Sequence, residues 1–186
     1  MSEEIHNCQN IDDKPASFFF QEGKGRGRQL LILGESLGKN NCLESGKAFY
    51  TTEDKVVPTG KKLNEELKLL KLCFEECAFT EIAKCYLANN RKILKTCGLK
   101  SGKQLISQIK AYNIKIIFSL GVITKDILEE LFEVNLPMGE INQVGVGDRK
   151  IAVLPLYHPS PASPRGHRRN LEILERVGGK IEELMK

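Results

Sequence analysis

The stretch that decides the fold is Gln29-Leu-Leu-Ile-Leu-Gly34, an apolar run that ends at a glycine. A short, continuous apolar run of this kind is typical of a strand that is buried on both faces. The pattern recurs in Ile114-Lys-Ile-Ile-Phe-Ser-Leu-Gly121 and in Ile151-Ala-Val-Leu-Pro-Leu156, and residues 79–86 are a further candidate. These stretches predict four strands of one sheet.

Amphipathic segments separate the predicted strands. The predicted helices cover residues 60–73, 101–112, 124–134 and 169–185. Gly178-Gly179 should interrupt the last helix, residues 89–98 have the composition of a loop, and residues 144–148 predict a turn, as in a hairpin. Strands that alternate with helices predict a parallel sheet covered on both faces. We therefore expect an α/β fold, a three-layer α/β/α sandwich around a central, mainly parallel, four-stranded sheet.

Length and composition fit one globular domain. The chain has 186 residues, of which 41% are hydrophobic and 28% charged, a balance that excludes a disordered chain. No apolar run reaches the roughly 18–20 residues that a membrane helix needs. We expect residues 1–28 to form an N-terminal arm packed on a single domain of residues 29–186. Because the first residues are acidic and polar, we expect no signal peptide and a cytoplasmic location.

The charge balance is mildly basic, with a formal net charge of +4. Such a balance permits nucleic acid as a partner without requiring it. After the last strand, Arg165, His167, Arg168 and Arg169 form a basic cluster at the start of the terminal helix. Cationic groups at a helix start suit phosphates. We expect no membrane partner, and we expect a monomer because no heptad pattern or large apolar face is present.

The first of two motifs at predicted strand ends is Gly34-Glu-Ser-Leu-Gly38, and it supports two interpretations. As G-x-S-x-G it matches the nucleophile elbow of serine hydrolases, with Ser36 as nucleophile and His158 as base. Asp148 lies between them in the required chain order. Alternatively, Glu35 holds or activates a water molecule at the mouth of the strand.

The second motif is His158-Pro-Ser-Pro161, which directly follows the last strand. The two prolines restrict the backbone, so the histidine is presented rigidly. It is suited to donate a hydrogen bond to negative charge that develops on a leaving group. Its position beside the basic cluster favours a role with nucleic acid, and a histidine that only caps a strand is the alternative.

In order along the chain, these motifs resemble those of the uracil-DNA glycosylase superfamily, nearest its family-4, thermostable-type branch. Leu31-Ile-Leu-Gly-Glu-Ser-Leu-Gly38 resembles an apolar strand followed by G-E-A-P-G, and Gly46-Lys-Ala-Phe-Tyr50 resembles G-R-P-F-V. Thr80-Glu-Ile-Ala-Lys-Cys85 is similar to T-N-V-V-K-C, and Leu156-Tyr-His-Pro-Ser-Pro161 to the final histidine motif. The matches cover about residues 30–175.

The resemblance implies a monofunctional DNA glycosylase of base excision repair, which flips a damaged nucleotide out of the duplex. Glu35 would position or activate the attacking water, and His158 would stabilise the departing base. Phe49 would stack on the flipped base, or else belong to the core, and the backbone at Ser36 would donate to it. The DNA-binding residues would be Pro161, Ser163, Arg165, His167, Arg168 and Arg169.

The chain departs from the family pattern at Glu81, where the family has the asparagine that reads uracil. An ionised glutamate only accepts hydrogen bonds, so it offers no donor to uracil O4. It would fit a base edge with two donors, which suggests an altered or purine-directed preference, such as for hypoxanthine or xanthine. Alternatively, Asn89 or Asn90 reads the base, or Glu81 points away. A relative that binds nucleic acid without catalysis is the second function that the sequence leaves open.

The six cysteines are the other departure. The family-4 branch holds a 4Fe–4S cluster with a C-x-x-C pair before the first strand, and this chain lacks that pair. We expect reduced thiols and no cofactor. The alternative is a cluster held by Cys73, Cys77, Cys85 and Cys97.

Overall fold

The predicted parallel sheet is present in the computed structural model, which describes residues 20–36, 45–84 and 93–186. The strands are β1 (Phe20–Gln21), β2 (Leu30–Ser36), β3 (Ala78–Ala83), β4 (Ile116–Leu120), β5 (Asn142–Val146) and β6 (Arg149–Leu156). They lie in the order β1-β3-β2-β4-β6-β5. The four central strands are parallel, and the two edge strands are antiparallel to their neighbours. The predicted four-stranded parallel sheet is confirmed, and β1 and β5 extend it to six strands.

Helices cover both faces of this sheet. In the described residues they are α1 (Pro58–Leu67), α2 (Leu94–Lys100), α3 (Gly102–Ala111), α4 (Val122–Phe132) and α5 (Pro164–Leu184). Alternate β2 side chains point to opposite faces. Leu30 and Ile32 lie in one buried cluster with apolar residues of α1 and α5. Leu31 and Leu33 lie in the other, with apolar residues of α3 and α4. The predicted three-layer sandwich is therefore confirmed.

Two predictions about helices are wrong. Helix α2 occupies the second half of the segment predicted as a loop, because Leu94 and Cys97 are buried against Ala83 at the end of β3. Helix α5 is continuous through Gly178-Gly179. A Cβ at Gly178 would lie 3.3 Å from Leu70 Cδ2, so the small residue lets α5 approach the 3-10 turn that follows α1.

The two edge strands, β1 and β5, differ in detail from the sequence predictions. Residues 144–146 belong to strand β5, so the hairpin turn is confined to Gly147-Asp148, where Gly147 has φ +66. At the other edge, Phe20 pairs with Thr80, which ties the end of the predicted arm to β3. Residues 1–19 of that arm lie outside the described residues, and the division into arm and domain stays a prediction. Among the described helices, none is long and apolar enough to cross a membrane.

Candidate active site

The carboxyl ends of the four parallel strands bring the predicted site residues to one edge of the sheet. Glu81 of β3 pairs in register with Gly34 of β2, so Glu35 follows directly beside it. Gly121 comes immediately after β4, and His158 comes two residues after the end of β6. In parallel α/β sheets this edge is where ligands bind. The fold therefore aligns the two strand-end motifs that the sequence singled out.

Gly121 lies between Glu35 and His158 and permits their approach. Its φ of 96° and ψ of 158° belong to a region that only glycine adopts without strain. A Cβ at this position would lie 2.9 Å from Glu35 Oε1 and 3.6 Å from the Cβ of His158. The carboxylate and the histidine therefore flank the same point of the backbone, with the glycine leaving space between them.

The loop that carries His158 is held by the side-chain amide of Asn170 on α5. Asn170 Oδ1 accepts from the backbone N–H of Tyr157 at 2.8 Å, and its Nδ2 donates to the Tyr157 carbonyl at 2.7 Å. The N–H of Ser160 donates to the His158 carbonyl at 2.8 Å, which closes a turn after the histidine. The backbone N–H and carbonyl of Tyr157, the residue before His158, are thus both fixed by the buried side-chain amide of Asn170.

Asn170 also connects this loop to α1 through a buried carboxylate. Its Nδ2 donates to Glu66 Oε1 at 3.0 Å, and His167 Nδ1 lies 2.8 Å from the same oxygen. Burial raises the pKa of Glu66 to about 7, against the hydrogen bonds from His167 and Asn170 that lower it. His167 Nε2 lies 3.0 Å from Glu65 Oε2. Both ring nitrogens of His167 therefore face carboxylates, and its contact with phosphate stays a prediction.

The other members of the predicted DNA-binding set lie on the surface beside His158. Pro161, Ser163, Arg165 and Arg168 are exposed. The Arg169 guanidinium lies 5.2 Å from the centre of the Tyr157 ring, and its Nη1 donates to the Tyr157 hydroxyl at 3.3 Å. The structure thus places a loop and two exposed arginines next to the histidine, with Arg169 held against the loop.

Phe49 is fixed in an unusual backbone conformation. Its φ is 64°, a left-handed value that is rare for a bulky residue. The side chain is 8% exposed, and its ring centre lies 4.8 Å from that of Phe79 in an edge-on contact. The backbone N–H of Val57 donates to the Phe49 carbonyl at 2.8 Å. Such strain persists only where the surroundings impose it, and it is frequent at functional sites.

Glu81 lies on the same face of β3 as Phe79, because the two residues are separated by one position. It is 6% exposed, and its Oε2 has no hydrogen-bond partner among the described residues. A Cβ at Gly34 would overlap the Glu81 carboxyl group, so the side chain lies over β2. Burial raises the pKa of Glu81 well above its usual value, Lys84 opposes this, and Glu35 adds to it. Glu81 therefore points over β2 at Gly34, whereas Asn89 and Asn90 lie outside the described residues.

The sequence model of the uracil DNA glycosylase superfamily matches residues 20–177. The chain belongs to the uracil DNA glycosylase superfamily. The match contains all six strands and most of α5, and so includes every position of the site described above. No curated protein matches the chain. The placement of this superfamily member nearest the family-4 branch stays a prediction.

The serine hydrolase alternative is wrong for this member of the superfamily. Asp148 precedes β6 and His158 follows it, and a strand of eight residues separates opposite edges of the sheet by about 26 Å. An acid at that distance cannot orient the histidine. Ser36 is the last residue of β2 and pairs with Ala83, so it lies within the sheet and not on a sharp elbow.

The cysteines of this uracil DNA glycosylase superfamily chain do not form the proposed four-thiolate set. Cys73 and Cys77 lie before β3, where Cys77 Sγ donates to the Cys73 carbonyl at 3.5 Å. Cys97 packs against Ala83 at the other end of that strand, about 18 Å away. Thiolates from both ends cannot reach one cluster, and Cys85 lies outside the described residues. The expectation of reduced thiols without a cofactor stays a prediction.

Three features of the site in this superfamily member were not recognised from the sequence. Gly121 was identified only as the end of a strand, although a glycine between a buried strand and a helix signals special backbone geometry. Asn170 and Glu66 carried no signal, because their contact joins positions that are far apart in the chain. Lys84 was also missed. It is buried, and its Nζ donates to Thr80 Oγ1 and to Gln108 Oε1, the latter at 2.8 Å.

Proposed function

We propose that this chain is a monofunctional DNA glycosylase that hydrolyses the N-glycosidic bond of a deaminated base flipped out of DNA. The observation that carries this proposal is the pair of Glu35 and His158 on either side of Gly121 at the carboxyl edge of the sheet. A carboxylate suits the activation of water, and an imidazole suits the stabilisation of charge on a leaving group. Membership of the superfamily supports the same reaction class.

In this mechanism each of the two residues has one task. The Glu35 carboxylate orients a water molecule and takes its proton as the water oxygen bonds to C1′ of the deoxyribose. The bond from C1′ to the base nitrogen breaks, and its electron pair leaves with the base. His158 donates a hydrogen bond to the base anion, which then takes up a proton. The products are an abasic site and the free base.

The surface beside His158 supplies the contacts to DNA. Arg165 and Arg168 are exposed at the start of α5, and they are suited to neighbouring phosphates. The exposed loop with Pro161 and Ser163 is anchored through Asn170, so it is rigid enough to occupy the space that a flipped nucleotide leaves. Phe49, Glu81 and the backbone at Ser36 contact the base.

The test is base release from oligonucleotides that contain uracil, hypoxanthine or xanthine, in single and double strands, under single-turnover conditions with alkaline cleavage. We expect cleavage by the unaltered protein and a loss of 10²–10⁴-fold in Glu35→Gln, which keeps the size of the side chain and removes its charge. Glu175→Gln is the matched control, because Glu175 is exposed on α5. Cleavage that survives Glu35→Gln would contradict the assignment.

A relative that binds DNA without catalysis is the second candidate. The observation that favours it is the buried carboxyl group of Glu81 at the position that reads the base. This candidate predicts salt-dependent binding of every oligonucleotide and release of no base from any of them. The same panel therefore separates the two functions.

A further inference from the structure

We propose that Glu81 reads the flipped base as a neutral carboxylic acid, and that in this form the site accepts uracil. This inference rests on the proposed function and concerns the substrate of the same site. It replaces the expectation of a purine-directed preference, which assumed an ionised glutamate. The proposal makes Glu81 a specificity-determining residue whose protonation state selects the base.

The geometry gives Glu81 an unsatisfied oxygen at the base-reading position. The side chain is 6% exposed and lies over Gly34, and its Oε2 has no partner among the described residues. Leaving a buried polar atom unpaired costs free energy, so such an atom in a native site points to a ligand. Phe79 on the same face holds Phe49 in its strained conformation, and an aromatic platform thus accompanies the carboxyl group.

The charges around Glu81 favour the neutral form. The negative charge of Glu35, on the neighbouring strand β2, adds to burial in raising the pKa of Glu81. Because Glu35 must be ionised to activate water, the proton belongs on Glu81. Lys84 is the described cation that acts on Glu81, but its Nζ is bound to Thr80 and Gln108 on the α3 side of the sheet. Burial lowers the pKa of Lys84 to about 7, so its positive charge is itself partly lost near neutral pH.

A neutral carboxylic acid offers the same hydrogen bonds as the amide of asparagine. Its carbonyl oxygen accepts from N3–H of uracil, and its O–H donates to O4. An ionised carboxylate accepts twice, leaves O4 without a donor and places negative charge beside it. Uracil binding should therefore require the proton, and a base edge with two donors should be favoured when the proton is lost.

The pH profile of base release tests this inference. Uracil release should have an alkaline limb from Glu81, along which the rate falls about tenfold per pH unit. Glu81→Gln carries a permanent amide, so we expect the alkaline limb to disappear in this variant. Glu175→Gln should keep the profile of the unaltered protein. Identical profiles for the unaltered protein and Glu81→Gln would overturn the inference while base release itself upholds the glycosylase.

An infrared measurement on the protein without DNA keeps the test independent of activity. The difference spectrum between the unaltered protein and Glu81→Gln at neutral pH should contain the C=O stretch of a protonated carboxylic acid. Only carboxylate bands in that spectrum would refute the neutral form, even if no lesion in the panel were cleaved. Circular dichroism of the variant establishes that it is folded.

Discussion

Replacement of Asn170 by alanine removes the connection between the loop that carries His158 and α1. Asn170 is fully buried, and its amide makes three hydrogen bonds. Two of them hold the backbone N–H and carbonyl of Tyr157, at 2.8 and 2.7 Å, and the third reaches Glu66 Oε1 at 3.0 Å. Asn170→Ala removes the side-chain partner of both Tyr157 backbone groups, and Glu66 Oε1 keeps only its contact with His167 Nδ1.

The expected loss of stability follows from these three contacts. A hydrogen bond between neutral groups contributes about 1 kcal/mol, and one to a charged group about 1.5–3 kcal/mol. We expect Asn170→Ala to lower the free energy of unfolding by about 3.5–5 kcal/mol. Since domains have about 5–15 kcal/mol of stability, the variant should remain folded at room temperature. Its base release should fall by about 10²-fold, because a shift of the loop by about 1 Å misplaces His158.

Urea unfolding followed by circular dichroism measures the first quantity, and single-turnover base release measures the second. Asn142→Ala is the matched control, since Asn142 Nδ2 makes one exposed bond to the Glu140 carbonyl. The control should change stability by less than about 0.5 kcal/mol. A loss below about 1 kcal/mol in Asn170→Ala, with unchanged base release, would refute the anchoring role.

Three further predictions concern Gly121, Arg168 and Glu66. Gly121→Ala should destabilise the protein by about 1–3 kcal/mol, because residue 121 has a φ of 96°, and urea unfolding measures this loss. The added Cβ should also displace the Glu35 carboxylate and so lower the rate of base release, which a single-turnover assay measures. Arg168→Ala should weaken DNA binding and reduce the slope of log K against log salt by about 1, and an unchanged slope in a binding titration would remove Arg168 from the interface. The pKa of Glu66 is about 7 in the folded protein, against an ordinary value of 4.5. Between these pH values the folded protein therefore binds more protons than the unfolded chain, so the free energy of unfolding falls as the pH rises from 4.5 to 7. Glu66→Gln should flatten that part of the stability profile measured by urea unfolding.

The sheet could be predicted because buried parallel strands leave a simple signature. The runs that begin at residues 29, 114 and 151 are apolar on both faces and end near glycine or proline, and each forms a central strand. The edge strand β1 has two residues and carries no such pattern. Helix α2 was missed because the weak helix formers Thr96-Cys-Gly98 lie at its centre, and its burial against Ala83 outweighs their preference.

The candidate site could be predicted in part, because its residues lie at or just beyond the carboxyl ends of the strands. Glu35 and His158 were identified in this way, and the structure brings them to one edge. The serine triad was wrong because chain order does not tell which edge of the sheet Asp148 occupies. The direction of Glu81 and the partners of His167 depend on packing between distant segments, which no local pattern encodes.

The most direct test of the central claim is mass spectrometry of the products from uracil-containing DNA, incubated with the protein in oxygen-18 water. We predict free uracil together with an abasic deoxyribose that carries one oxygen-18 atom at C1′, and formation of both products about 10²–10⁴-fold slower with Glu35→Gln. Intact DNA, bound by the protein with its uracil, hypoxanthine or xanthine still attached, would contradict the assignment of Glu35 and His158 as a glycosylase centre.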